Sequence, residues 1–493
     1  MRLSKLSITL MLIAALLIGA GGMYVGMAGF SKMSGESPSS IQDEPNAEQG
    51  DTGGEAQKAS FDKVREAFHV IANNYYRKVD EEKLLNGAIR GMVQALDDPF
   101  SVYMNPETAR KFSQSLSSSY QGIGAKVSMV NGKVTIVSPF KGSPAEEAGL
   151  RPNDKIIAIN GESIEDLSLY EAVLKIRGKQ GTTVTLGIRR KGVPDLLEIE
   201  VTRDNIPIQT IYKDSVKKNG HLYGIIEITS FSRGTADEFQ KALSALEDKG
   251  IDGLVIDVRG NPGGYLGSVT RIADFIVPDT KPVVQTVERN GHTTRFFSSL
   301  KEKKNYPIAA LIDSGTASAA EILAAALHEA GGYPLVGVKS FGKGTVQTEK
   351  KFEDGSRIKL TIMKWLTPEG HWIHEKGLKP TVKVKQPDYF YAHPITVEKG
   401  ESLSYDENGT RVKNAQIMLD GLGFEPGRED GYFGEQTRTA VKAFQRVNGL
   451  PVTGKIDVKT ASVLDKKILE AVDKMKNDLQ LQMALTVLEE DLK

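Results

Sequence analysis

The run IAALIDSGTASAAEILAAA, residues 308–326, decides how this chain is read. An apolar run of strand length (308–312) stops at the turn Asp313-Ser314-Gly315, and an alanine-rich helical stretch follows from Ser318. Strand, tight turn and helix form the unit of an α/β sheet, and ligands bind beyond the C-terminal ends of such strands. Ser318 stands at that junction. The first N–H groups of a helix have no intrahelical partners, so they favour negative charge. A serine there also serves as a plain helix N-cap, and the run alone leaves both readings open.

Working outward, the segment FGKGTVQ (341–347) follows the next apolar run and offers Lys343 and Gln347. A serine hydroxyl needs a base. None of the seven histidines lies in a triad motif, and no G-x-S-x-G elbow is present. Lysine is the alternative, provided burial keeps its amine neutral. Gln347, four residues on, lies on the same face if this segment is extended, where its amide oxygen would aim the amine. The rival reading is a phosphate-binding loop. It fails at Gly344, where a Ser or Thr would touch magnesium, and no helix follows. Ala319 and the glycine turn 260–264, in particular Gly263 and Gly264, are the expected oxyanion donors. No metal and no cofactor is expected: His371 and His374 lack a third ligand, and His328-Glu329 lacks the second histidine of a zinc helix.

Around these motifs, strands at 223–228, 253–258, 308–312 and 335–338 alternate with helices at 235–247, 265–275 and 318–329. The fold class expected is therefore multidomain α/β. The chain has 493 residues, room for about three domains. Lys+Arg and Asp+Glu are both 63, which gives no basic excess for a nucleic-acid partner. The absence of cysteine excludes a disulfide framework, a thiolate zinc site and a cysteine nucleophile.

Arg2 and Lys5 precede an uncharged apolar stretch, 8–30, long enough to cross about 30 Å of hydrocarbon. It reads as a signal-anchor with the rest of the chain outside the membrane, a cleaved signal peptide being the alternative. Residues 31–60, rich in Ser, Gly, Asp, Glu and Pro, read as a flexible tether. Two amphipathic helices follow. Phe61, Val64, Phe68, Ile71 and Tyr75 line the first, read as core packing or as a dimer arm. Asp80 caps the second, whose inner face is expected at Leu85, Ile89, Met92 and Leu96.

Residues 120–203 run glycine loop, strand, short helix, turn, strand, helix, strand. The ordered set Gly122-Ile123-Gly124-Ala125, Ser143-Pro144-Ala145, Gly149-Leu150, Gly161 and Arg177-Gly178 resembles a circularly permuted PDZ domain of bacterial proteases. Such a domain adds an extended peptide as a strand and holds its C-terminal carboxylate on loop N–H groups, here at Gln121, Gly122, Ile123 and Gly124. Residues 408–464, with VKNAQIML, DGYFG, TRTAVKAFQ and NGLPVTG, look like a small three-helix peptidoglycan-binding domain. Ile468, Val472, Met475, Leu479, Met483 and Val487 mark a last apolar stripe, an oligomer arm or a cover for the core.

DVRGNPGG (257–264), SGTASAAEI (314–322), FGKGTVQ and TPEGHWIHEKGLKPTV (367–382) occur in order. Together they resemble the C-terminal processing peptidases, or tail-specific proteases, of serine peptidase family S41, in the membrane-anchored Gram-positive form. The resemblance implies Ser318 as nucleophile, with Thr316 at the first serine-like position, Lys343 as general base and Gln347 as its positioning partner. It also implies a PDZ domain that gates the site, with Arg177 matching the gating arginine. The expected partners are protein substrates with free C-termini, peptidoglycan, the membrane and a second copy in a homodimer. The expected division is anchor 1–30, linker 31–60, helical region 61–116, PDZ domain 117–203, S41 protease core 204–390, all-α peptidoglycan-binding domain 400–466 and C-terminal helix 467–493. The non-enzymatic alternative is an inert, wall-tethered PDZ scaffold.

Overall fold

A computed structural model describes residues 61–493 apart from 117–118, 131, 141, 166, 168, 191–192, 194 and 399. The apolar stretch 8–30 and the tether 31–60 lie outside the described residues. No helix among the described residues is long and apolar enough to cross a membrane.

The largest unit is built on a six-stranded sheet ordered Ile211–Lys218, His221–Ile228, Gly253–Asp257, Ile308–Ile312, Leu335–Gly337, Val382–Lys383. The first pair is antiparallel and the rest are parallel. Gly253–Asp257 and Ile308–Ile312 are buried at every position, as parallel strands covered on both faces must be. Helices Thr235–Glu247, Leu266–Ile276 and Ala319–Ala325 pack on one face through Phe239, Leu243, Val269, Ile272, Ile322 and Leu323. The other face, with Val255, Ala309, Leu311 and Val336, is covered by the last helix, Leu479–Asp491, through Leu481, Ala484, Leu485 and Leu488. Burying each of those leucines is worth about 1.5–3 kcal/mol. The expected final stripe is therefore shifted. The helix breaks after Val472, Leu479 and Met483 are exposed, and Asp478 caps a new helix by accepting the Leu481 N–H at 2.9 Å.

A second sheet pairs Arg357–Leu366 with Val102–Met104, Thr345–Lys351 and Val284–Glu288, so a strand from the N-terminal region shares its central strand with the strand that follows the lysine loop. The PDZ-like unit is a sheet ordered Ala125–Val130, Lys133–Pro139, Lys155–Ile159, Thr183–Arg189, Leu197–Thr202 with helix Leu169–Ile176. It joins the core through the antiparallel pair Ser119–Gly122 and Asp204–Pro207. Helices Thr410–Gly421, Glu435–Val447 and Val458–Val472 enclose Phe433 and Phe444 in a separate core. Two buried glutamines staple its turns: Gln416 accepts from the Gly431 N–H and Gln445 from the Gly454 N–H, both at 2.9 Å.

The N-terminal helices correct one expectation. Asp80 does cap Glu81–Gln94, accepting the Lys83 N–H at 3.0 Å. However, Leu85, Met92 and Leu96 are exposed and Val93 is the buried residue; Asp62–Asn74 buries none. Periodicity identifies an apolar face, but among the described residues most of it is uncovered.

Candidate active site

The turn after Ile308–Ile312 is tied to the glycine loop 257–264. Asp313 Oδ1 accepts from the N–H groups of Gly260 (2.8 Å), Gly315 (2.9 Å) and Thr316 (3.0 Å). Thr316, fully buried, donates its hydroxyl to the Val258 carbonyl at 2.9 Å, which gives it a structural task. Ala317 N–H then bonds the Asn261 carbonyl, and the chain enters Ser318 at φ 53°, ψ −116°. That conformation is one a β-carbon disfavours, and holding a serine there costs about 1–3 kcal/mol. The sharp turn sets Ser318 at the start of Ala319–Ala325.

Glu321, which the sequence reading did not single out, is the keystone of the site. It is fully buried and takes four hydrogen bonds. Oε2 accepts the N–H groups of Ser318 (2.9 Å) and Lys343 (2.8 Å); Oε1 accepts the Ser340 hydroxyl (2.6 Å) and the Gly342 N–H (2.7 Å). A single oxygen thus joins the backbones of residues 318 and 343. Burial pushes the Glu321 pKa up, and its donors pull it back only in part. The signal was legible: Ser318-Ala-Ala-Glu321 is the S-x-x-E capping-box pattern.

Lys343 is 1% exposed, and its Nζ has no hydrogen-bond partner. The amine lies 4.6 Å from the centroid of the Phe100 ring. Desolvation, with the repulsion of Lys359, pulls its pKa down to about 7, against the pull of Asp98 and Glu321. Trp365 Nε1–H holds the Lys343 carbonyl at 2.8 Å. Gln347 is buried in the strand Thr345–Lys351, where the pairing with Arg357–Leu366 shifts register between Val346 and Gln347 so that Ile362 is left over on the partner strand. Its Nε2 donates to Thr345 Oγ1 (2.9 Å) and Thr361 Oγ1 (3.1 Å). The direct bond expected from Gln347 to the amine is not formed in this arrangement. Lys359, a second buried lysine without a partner on Nζ, lies over Phe112.

Gly263 has φ 104°, and a β-carbon there would stand 2.9 Å from Ala317 O, Ala319 N and Ser318 Cβ. Only glycine lets the loop approach the serine so closely. Its N–H, however, donates to Asn261 Oδ1 at 2.8 Å and is not free to meet an oxyanion. Ala319 is the first helical residue, so its N–H has no acceptor within the helix. Behind the loop, Arg259 bonds Asp257 (2.6 Å) and reaches Asp478 (2.7 Å) and Gln480 (3.0 Å) at the start of the last helix.

In the PDZ-like unit, Ala125–Val130 is an edge strand, open on one side to a further strand. Gln121 and Gly122 end the strand Ser119–Gly122; Ile123 and Gly124 form the loop beside it. Gly124 has φ 75°, and a β-carbon there would collide with Ser143 Cβ at 2.4 Å. The Arg177 guanidinium lies over the Tyr120 ring, 4.8 Å from its centroid, with its Cγ beside Gly122.

The profile described as peptidase family S41 matches residues 222–384, that of the PDZ domain 121–201, and that of a putative peptidoglycan binding domain 408–464. The profile of the activating protease CtpB N-terminal domain matches 16–108. Over 471 residues the chain is 52% identical to the carboxy-terminal processing protease CtpB of Bacillus subtilis strain 168, covering 96% of each chain. It is 41% identical over 455 residues to the carboxy-terminal processing protease CtpA of the same organism, covering 92% of this chain and 94% of that one. A solved photosystem II D1 C-terminal processing protease aligns at 27% identity and TM-score 0.41, covering 66% of this chain and 87% of that one.

Proposed function

This chain belongs to peptidase family S41, the carboxy-terminal processing proteases, and on that premise we propose that it cleaves proteins presenting free C-terminal tails, with Ser318 as nucleophile, Lys343 as general base and Gln347 as the group that receives the protonated amine. The observation that carries the reading is the state of Lys343. A buried amine without a partner, with its pKa down at about 7, is neutral often enough at physiological pH to take a proton.

Ser318 Oγ attacks the scissile carbonyl carbon as its proton passes to Lys343 Nζ. The oxyanion meets the N–H groups of Ala319 and Gly264, with Gly263 as the close-approach residue between them. Collapse breaks the C–N bond, returns the proton from Lys343 to the departing amine and leaves an ester on Ser318. A water, deprotonated by the same lysine, opens the ester. Because Gln347 is held through Nε2 by two threonines, its Oε1 remains to accept from the ammonium that forms in each half-reaction.

The open edge of Ala125–Val130 suits an added peptide strand, and the loop 121–124 with Arg177 suits its terminal carboxylate. Gating of the protease by that engagement is part of the proposal. The apolar stretch 8–30 would hold the enzyme on the outer side of a membrane, the 408–464 module on peptidoglycan. The exposed stripe Phe61, Val64, Ile71 and Tyr75 offers a surface for a second copy.

The test is cleavage of a reporter protein with an unstructured tail by the full chain. Ser318→Ala and Lys343→Arg should both be inactive, the latter because a guanidinium does not deprotonate. Amidating the tail should raise KM. Equal turnover by Ser318→Ala and the unaltered protein would overturn the assignment.

A further inference from the structure

The turn of residues 98–101 joins helix Glu81–Gln94 to strand Val102–Met104, and nothing in its local sequence announces a task beyond stopping a helix. In three dimensions it forms a wall of the site. Strand Val102–Met104 pairs with Arg357–Leu366 in the register Val102 to Lys359, so the preceding turn comes against Thr361 and the lysine loop. Phe100 is 7% exposed and lays its ring over Lys343 Nζ. The same ring meets His374 edge-on at 6.0 Å. Ser101, 6% exposed, accepts the Thr361 N–H at 3.0 Å and donates to Asp98 Oδ2 at 2.6 Å. Thr361 in turn receives the Gln347 amide on its hydroxyl. A chain of contacts therefore runs from Asp98 through Ser101 and Thr361 to Gln347, while Phe100 covers the amine.

We propose that residues 98–101 are a positioning element of the catalytic site: Phe100 keeps water from Lys343 Nζ, and Ser101, braced by Asp98, fixes Gln347 through Thr361. This rests on the reading of Lys343 as base. The charged groups that face Lys343 are Asp98 from the turn, Glu321 from the helix and Lys359 from the neighbouring strand. Asp98 also faces His374, and Lys359 faces Glu349. Burial raises the Asp98 pKa, but hydrogen bonds from Ser101, Thr361 and the Phe100 N–H bring it below the ordinary value, so it stays ionised. Two opposed effects act at Phe100. An aromatic face attracts an ammonium, whereas exclusion of water favours the neutral amine. Desolvation is the largest influence on Lys343, so exclusion dominates.

Opening this wall should therefore return Lys343 toward its ordinary value. In the full chain, Phe100→Ala should move the acid limb of the kcat/KM profile up by about one pH unit, with a roughly fivefold loss at pH 7 that recovers by about pH 9. Phe100→Leu, which restores bulk without the ring face, should bring the limb back. Ser101→Ala should lower kcat across the pH range with KM unchanged, and Ser101→Thr should rescue it. Tryptophan emission and far-ultraviolet circular dichroism verify folding; Phe100→Val, with a smaller cavity, replaces Phe100→Ala if that variant does not fold. An unmoved acid limb in folded Phe100→Ala or Phe100→Val, or a loss of equal size at every pH, would overturn the proposal while Lys343→Arg stays inactive. Activity in Lys343→Arg would instead remove the base assignment itself.

Discussion

Replacing Lys343 by methionine should make an inactive protein more stable, and the gain should depend on pH. The unfolded chain holds its proton up to a pKa near 10.5, whereas the folded protein gives it up at about 7. Between these values the unfolded state binds more protons, so the stability of the unaltered protein rises with pH across that window. Below pH 7 the buried ammonium carries its full penalty, about 4–5 kcal/mol from this difference. At pH 9 about 2 kcal/mol remains, and above about 10.5 almost none. Methionine matches the stem in length and carries no charge, so Lys343→Met removes that penalty and the repulsion with Lys359. The assay is urea unfolding at pH 6.5, 7.5 and 9 followed by tryptophan emission. The chain has two tryptophans, and both donate to the backbone at 343–344: Trp365 to the Lys343 carbonyl, Trp372 to that of Gly344, each at 2.8 Å. The signal therefore reports the protease core and not the wall-binding module. A variant no more stable than the parent at pH 6.5, or a gain that is the same at pH 6.5 and 9, would refute the reasoning.

Ser318→Gly and Ser318→Ala should both lose turnover, but glycine relaxes the φ 53° conformation that alanine keeps. Denaturation should find the glycine variant more stable by about 1 kcal/mol, and the reverse order would remove the strain argument. Glu321→Gln puts an amide where four donors converge; one donor is left facing another, at about 2–3 kcal/mol of stability. With the NH2 at the Oε1 position the Gly342 N–H loses its acceptor, and turnover should fall as the oxygen shared by the 318 and 343 backbones loses its carboxylate charge. A folded Glu321→Gln enzyme of unaltered kcat would show that the bridge is dispensable.

The strand–helix alternation was legible because buried parallel strands are continuous apolar runs, and 308–312 and 235–247 fall where the pattern puts them. Ser318, Lys343 and Gln347 were visible as residue types at turns. How their side chains are held was not. The irregularity at Val346–Gln347 follows from pairing with Arg357–Leu366, and no local signal encodes it. The engagement of the Gly263 N–H depends on the rotamer of Asn261, which spacing does not reveal. Phe100 and Ser101 reach the site from more than two hundred positions away, the Ser101 contact with Thr361 spanning 260 residues. The stripe at Leu85, Met92 and Leu96 is a correct periodicity whose burial does not follow, since the pattern names a face and leaves its neighbour unnamed.

The Arg259–Asp478 contact closes a loop of 219 residues, and this fixes an order of events. A chain made from its N-terminus completes the sheet, the serine turn and the lysine loop before Asp478 exists. Until then Arg259 keeps its bond to Asp257 but lacks the Asp478 carboxylate, and the face formed by Val255, Ala309, Leu311 and Val336 is without its covering helix. The loop that brings Gly263 against Ser318 is thus the last part of the site to be braced. The thirteen-residue helix Leu479–Asp491 is thus the brace itself: a chain cut before Asp478 keeps Ser318 and Lys343 and lacks the buttress behind the glycine loop.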